Sequence, residues 1–258
     1  MKVGVLLKQV PDTDTRIKIN GAGNGIETGD IKWVINPYDE YALEEAIKLK
    51  QAKVATEVVI ISLGGKAAEA NIRDGLARGA DRAVRVDDAG AAGTDAVGKA
   101  RILAAAAAAE GVELILTGRQ AIDSDQSAVG PMIAEVLGWR QAAWVDKLVI
   151  EGGSFTADRA AGGGVRERVR GKLPAVITCD KGLNTPRYAT LPNIMAAKKK
   201  PIVEKTVASL GVNVGAAAAV EGAYSLPPAR PAGRIIGGDP ATAVKELVRL
   251  LRDEAKVI

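Results

Sequence analysis

Short apolar runs alternate with amphipathic stretches along most of the chain. Val3 to Leu7, Glu57 to Ser62, Arg82 to Val86 and Glu113 to Thr117 are β-rich and have the length of single strands. Helical patterns cover Tyr38 to Ala52, Ala67 to Arg78, Asp95 to Ala109 and Ala128 to Leu137. Strands that alternate with helices predict a doubly wound α/β fold, a mostly parallel sheet wrapped on both faces. In the first helical pattern Tyr41, Ala42, Glu45, Ala46, Leu49 and Lys50 follow a three-and-four spacing, with Asn36 and Pro37 as entry signals. Its charged face is expected to be solvated.

After Trp139 the pattern changes. Ala142 to Ile150 and Ser154 to Arg159 read as two strands joined by Glu151-Gly152-Gly153, and Pro174 to Cys179 as a further buried strand. They predict a small antiparallel addition to the parallel sheet. From Pro201 to Gly238 the chain is rich in Ala, Gly and Pro with weak periodicity; Asp239-Pro240 then opens a final helix through Lys256. The expected division is an α/β domain over 1–200 and, over 201–258, an extended arm and helix lying on a partner, with a floppy linker as the plainer alternative.

Composition narrows the function classes. Aromatics make up 3% of the 258 residues against 47% apolar residues in all, so aliphatic packing fills the core and base-stacking platforms for nucleic acid are not expected. The longest apolar stretch, Ile102 to Ala109, is bounded by Arg101 and Glu110 and falls short of the ~20 residues a bilayer span needs. A first strand directly after Met1 leaves no room for a signal or transit peptide, which points to a bacterial cytoplasm. The chain has no histidine and one cysteine, Cys179, which excludes an internal disulfide, a Ser-His-Asp triad and a Cys-His pair, and no metal site is expected. Cys179 reads as an inert strand residue. The net charge of +4 is mild, but Lys198, Lys199 and Lys200 form a run beside an apolar segment.

In a doubly wound sheet ligands sit at the carboxyl ends of the strands, so the loops there carry the candidate chemistry. Ser62-Leu63-Gly64-Gly65 permits close backbone approach and precedes a helix whose N–H groups suit an anion; Gly-Gly also ends strands for steric reasons alone. The connection Gly118-Arg119-Gln120-Ala121-Ile122-Asp123-Ser124-Asp125-Gln126-Ser127-Ala128-Val129 is long, polar and glycine-bounded. Arg119, Ser127 and the amides near the helix start can hold phosphate, while Asp123 and Asp125 can accept from ribose hydroxyls or orient Arg119. A third segment, Leu183 to Lys200, sets Leu191, Pro192, Ile194 and Met195 beside the lysine run. An apolar anchor next to cations suits docking onto an acidic partner; a short helix packed on its own core with a solvated lysine tail is the alternative.

These stretches resemble the beta subunit of electron-transfer flavoproteins. The resemblance lies in Leu7 to Asp12, Ile35 to Ala46 (Ile-Asn-Pro-Tyr-Asp-Glu-Tyr-Ala-Leu-Glu-Glu-Ala), Gly79-Ala80-Asp81-Arg82, Gly118 to Gly130 and, above all, Leu183 to Pro201. It implies a fold of the adenine nucleotide-binding type without a dinucleotide fingerprint. It also implies a heterodimer with an alpha subunit that holds most of a shared FAD, and a carrier, not an enzyme on its own, taking electrons from an acyl-CoA dehydrogenase or similar flavin dehydrogenase. By similarity the beta site takes AMP, or a second FAD in electron-bifurcating relatives that oxidise NADH. Its contacts are expected at Leu6, Asn36, Pro37, Tyr38, Asp39, Leu63 and along Gly118 to Val129, and Leu191 matches the family's anchor leucine. Two departures stand out: Ser127-Ala128-Val129-Gly130 replaces an Asn-Gln-Thr-Gly run, and Ala160 follows Arg159 where many relatives carry Glu. A reading of another class is a stand-alone nucleotide-binding module of the stress-protein or ATP-pyrophosphatase kind.

Overall fold

The computed structural model describes residues 1–220, 222–230 and 232–258. Nine strands form one sheet. In chain order these are β1 (Lys2–Leu6), β4 (Glu57–Leu63), β5 (Arg82–Asp87), β6 (Leu114–Gly118), β7 (Arg140–Glu151), β8 (Ser154–Gly162), β9 (Val165–Lys172), β10 (Ala175–Cys179) and β11 (Ile202–Thr206). Their spatial order is β11-β5-β4-β1-β6-β10-β7-β8-β9, parallel from β11 to β7 and antiparallel from β7 to β9. A separate antiparallel pair, β2 (Gln9–Pro11) with β3 (Trp33–Ile35), lies ahead of the first helix. The doubly wound fold expected from the sequence is the one observed.

The two faces divide the apolar residues by alternation along the strands. On one face α1 (Pro37–Gln51) and α2 (Glu69–Arg78) bury Leu43, Ile47, Ile72 and Leu76 against Val3, Val5, Ile60 and Leu116. On the other, α3 (Ala96–Glu110) and α4 (Val129–Leu137) pack Ile102, Ala106, Ala107 and Ile133 on Val59, Ile61, Val84 and Ile115. The alanines of α3 let that helix lie close to the sheet, which is how a chain with a single phenylalanine fills its interior.

Three elements differ from expectation. β9 has no forerunner in the sequence pattern, because Val165 to Arg168 are exposed and carry charges on successive residues; the strand exists through pairing with β8, where Arg168 lies opposite Asp158 and binds it at 2.6 Å. β11 falls in the stretch expected to be an extended arm, yet it pairs in parallel with β5 from Ile202↔Ala83 to Thr206↔Asp87, so the sheet continues past residue 200. The final helix, α6 (Pro240–Arg249), is capped by Asp239 and gives way to a wider turn over Leu250–Glu254. Parts of the stretch between lie on this chain's own domain: Arg101 Nη1 donates to the Val214 carbonyl at 2.9 Å, Ala218 N to Asp95 Oδ2 at 2.8 Å, and Tyr224 N to the Gly23 carbonyl at 2.9 Å. Glu221 and Pro231, within the expected arm, lie outside the described residues. Among the described residues no helix is long and apolar enough to cross a membrane.

Candidate functional site: a crevice at the strand ends and a helix with exposed apolar residues

Chain connections leave β1 toward β4 and return to β6 on its other side, so the crevice where ligands bind in such sheets opens at the carboxyl ends of β1 and β6. Asn36 and Asp39, at the start of α1, knit its walls together. Asp39 accepts from Lys8 N at 2.8 Å, Gly118 N at 2.9 Å and Asn36 Nδ2 at 3.0 Å. Asn36 Nδ2 also donates to the Gln120 carbonyl at 2.9 Å, and Asn36 Oδ1 accepts from Ile122 N at 3.2 Å. Asp39 is 3% exposed, and burial pushes its carboxyl up to about 7 although the three N–H donors and Lys8 act in the other direction. Gly118 has to be glycine here: a Cβ would stand 2.5 Å from Asp39 Oδ1 and 2.7 Å from the carbonyl carbon of Tyr38.

The connection from Arg119 to Ala128 is fixed from within. Gln120 Nε2 donates to Asp125 Oδ1 at 2.6 Å, and Ser127 Oγ to Gln120 Oε1 at 2.9 Å. Asp125 and Ser127 adopt φ of +48° and +51°, costly for residues with a side chain and tolerated where surroundings impose them. Asp123, Ser124, Asp125 and Gln126 are exposed, whereas Ala121, Ile122, Ala128 and Val129 are half-buried. α4 starts without a side-chain cap, so the N–H groups of Val129 and Gly130 in its first turn have no side-chain acceptor, and Pro131 has no N–H to satisfy.

Arg119 is not held by Asp123 or Asp125, the partners expected from the sequence. Instead Asp180, at the end of β10, takes its Nη1 at 3.0 Å, and the guanidinium lies 4.7 Å from the Tyr38 ring centroid and 4.8 Å from that of Trp144. Asp123 pairs with Lys8 Nζ at 2.6 Å. Trp144 has φ of +61°, and its N–H donates to Thr178 Oγ1 at 2.9 Å. The sequence pattern does not mark it, because it sits mid-strand in β7; the signal available is a tryptophan in a chain that has three. Leu6 and Leu63 end β1 and β4, with Leu6 buried and Leu63 half-buried. Gly64 turns toward β5, its N–H bonded to the Val86 carbonyl at 3.0 Å and its carbonyl to Arg85 Nη1 at 2.9 Å. Cys179 is fully buried, and burial drives its thiol well above the ordinary range.

The charged face of α1 is solvated only in part: Lys48 is exposed, but the expectation fails for two glutamates. Glu44 and Glu45 are 6% and 5% exposed because the segment after β10 folds over them. Arg187 grips Glu44 with Nε at 2.7 Å and Nη2 at 2.8 Å, and Asn184 Nδ2 donates to Glu45 Oε2 at 2.9 Å and to the Tyr41 carbonyl at 3.0 Å. This pinned segment delivers α5 (Leu191–Ala197), which turns its apolar residues outward: Leu191 is 73% exposed, Met195 56% and Ile194 42%. Pro192 lies in its first turn. Tyr188, 90% exposed just ahead of it, is not among the residues the sequence pattern picks out. Of the lysine run, Lys198 and Lys199 are exposed. Lys200 is not a free charge: its Nζ donates to the carbonyls of Leu76 at 2.9 Å and Ala80 at 2.6 Å, and burial holds its pKa below the usual lysine range.

The family described as the electron transfer flavoprotein domain matches residues 24–210, which include the start of α1, the Gly118 to Val129 connection, the pinned segment and α5. The electron transfer flavoprotein subunit beta of Bradyrhizobium diazoefficiens is 46% identical over 258 residues, all of both chains. That of Bacillus subtilis is 39% identical over 268 residues, again all of both, and that of Homo sapiens 40% over 235 residues, 90% of this chain and 91% of the human one. The chain belongs to the electron transfer flavoprotein family, as a beta subunit. The family name denotes electron transfer by a flavin, chemistry that a cofactor carries and a protein positions.

Proposed function

We propose that the chain pairs with an electron-transfer flavoprotein alpha subunit and works as a carrier. In this reading it accepts electrons from acyl-CoA-type dehydrogenases, as in fatty acid oxidation, and passes them to a quinone-linked or other acceptor in a bacterial cytoplasm. The observation that carries the reading is α5, a short helix that exposes Leu191, Ile194 and Met195 beside Lys198 and Lys199. A leucine fixed at a helix start ahead of a proline loses little freedom on docking, and exposed lysines speed encounter with an acidic surface.

The crevice suits an adenine nucleotide. The uncapped first turn of α4 suits a phosphate, Asp123 and Asp125 lie exposed on the loop that would border a ribose, and Gly118 lets that loop start in close contact with Tyr38 and Asp39. AMP is the occupant favoured here. Arg119, held by Asp180 and two rings, serves in this reading as a pillar of the site. FAD, when bound between the subunits, supplies the electron-accepting chemistry; this chain's part is to present a docking face and to exclude water around the crevice.

One experiment tests the reading. The purified heterodimer is mixed with an acyl-CoA dehydrogenase and its substrate, and flavin reduction is followed for the native chain and for Leu191→Ala, with flavin and adenylate counted after denaturation. Expected are one FAD and one AMP per heterodimer, and at least ~10-fold slower transfer for Leu191→Ala, as for an interface anchor worth more than about 1.4 kcal/mol. Unchanged transfer refutes the docking role. Two FAD indicate the bifurcating type, and a chain that stays monomeric and hydrolyses ATP indicates a stand-alone module.

A further inference from the structure

The docking helix raises a mechanical problem. Seven residues are too few for a helix to hold itself, and in α5 six are exposed while Ala197 alone is buried. Side-chain packing against α2 is incomplete, since a cleft of about 550 Å³ remains between the two helices, lined by Arg73, Asp74, Ala77, Ile194 and Lys198 among others. The pinned segment fixes the start of α5, and its far end needs a hold of its own.

Two cations supply it, each serving the other's helix. Arg73 reaches from α2 and donates through Nη1 to the carbonyls of Ala197 at 2.9 Å and Lys200 at 2.5 Å, while Nη2 is steadied by Glu69 Oε1 at 3.3 Å. Lys200 reaches back from the end of α5 and donates to the carbonyls of Leu76 and Ala80, where α2 ends. The last carbonyls of a helix lack intrahelical partners and carry the negative end of its dipole, so a half-buried cation at each C-terminal turn satisfies both. The exchange runs in both directions and ties the C-terminal turns of the two helices together.

We propose that Arg73 and Lys200 are positioning residues for docking: by exchanging C-terminal caps between α2 and α5 they hold Leu191, Ile194 and Met195 outward in a fixed frame. The inference rests on the docking role of Leu191 proposed above. It also gives the three lysines different roles, since Lys198 and Lys199 face solvent and act through long-range attraction, whereas Lys200 acts through geometry.

The test uses the heterodimer as electron acceptor for an acyl-CoA dehydrogenase, with its concentration varied. Arg73→Ala is expected to raise KM for the flavoprotein about tenfold with kcat changed less than about twofold and cofactor content unaltered, the pattern of lost binding shared by ground and transition states. Arg73→Lys restores part of the loss. In the Leu191→Ala background Arg73→Ala adds nothing further, because residues acting through one another are not additive. Should Arg73→Ala assemble poorly, Lys200→Met gives the same answer by a second route: its KM defect persists at high salt, whereas that of Lys199→Met fades as surface charges are screened. An unchanged KM in Arg73→Ala, full additivity with Leu191→Ala, or a Lys200→Met defect erased by salt overturns the proposal. If Leu191→Ala itself transfers electrons normally, it is the docking role that fails, and the clamp loses its object.

Discussion

Asp39 offers the sharpest test of how the crevice is built. Its carboxyl is pushed from an ordinary 3.8 to about 7, chiefly by burial. The folded state therefore binds the proton more tightly than the unfolded chain, so this group's contribution to stability is fully present below pH 4 and is lost as pH rises through 7. A shift of about three units corresponds to roughly 4 kcal/mol, and at about 2–4 °C per kcal/mol for a chain of this size it amounts to roughly 10 °C in Tm. The window is clean on this chain, because it has no histidine and the other carboxylates with resolved shifts, such as Glu57, Glu69 and Glu110, are all lowered.

Asp39→Asn removes the titration and keeps one of the two accepting oxygens, while Asp39→Ala leaves the N–H groups of Lys8 and Gly118 without this acceptor and the Asn36 amide with the Gln120 carbonyl alone. Thermal unfolding of native and Asp39→Asn heterodimers, at one protein and cofactor concentration from pH 5 to 8, cancels titrations of the partner subunit. The difference is expected to move in favour of Asp39→Asn as pH rises. Asp39→Ala should be less stable than Asp39→Asn throughout, by about 1–3 kcal/mol for each buried donor left unpaired, and should lose adenylate on gel filtration. A difference between native and Asp39→Asn that stays constant across this range would refute the account.

Two further outcomes follow from the packing. Arg187→Ala strips a 7%-exposed Glu44 side chain of its guanidinium, which is itself 33% exposed, so the loss should fall between surface and buried pairs, about 2–3 kcal/mol by denaturant unfolding, and Glu44→Gln in the same chain should recover part of it. Gly118→Ala drives a methyl into the Tyr38 backbone and the Asp39 carboxylate; a loss of about 1–3 kcal/mol is expected together with reduced adenylate content, and native content would contradict the close approach.

The scaffold is legible in the sequence wherever burial imposes a period. β1, β4, β5 and β6 are apolar runs because both of their faces are covered, and α2 and α4 show their stripes for the same reason. The crevice is legible for a topological reason, since loops at strand ends are where such sheets place ligands. What escapes is decided by partners distant in sequence. Arg119 meets an aspartate 61 positions on, Glu44 an arginine 143 positions on, and β9 owes its existence to a neighbour and to no apolar face of its own.

The lysine run shows the limit most plainly. Three identical residues in succession carry one local signal, exposed positive charge, and any reading confined to neighbours assigns them one role. The fold divides them, because α5 ends where α2 also ends and only the third side chain reaches the vacant carbonyls. Charge that looks redundant along the chain is thus split between solvent and a helix end. On the proposed docking role, specificity for a redox partner would depend as much on the helix behind α5 as on the leucine at its tip.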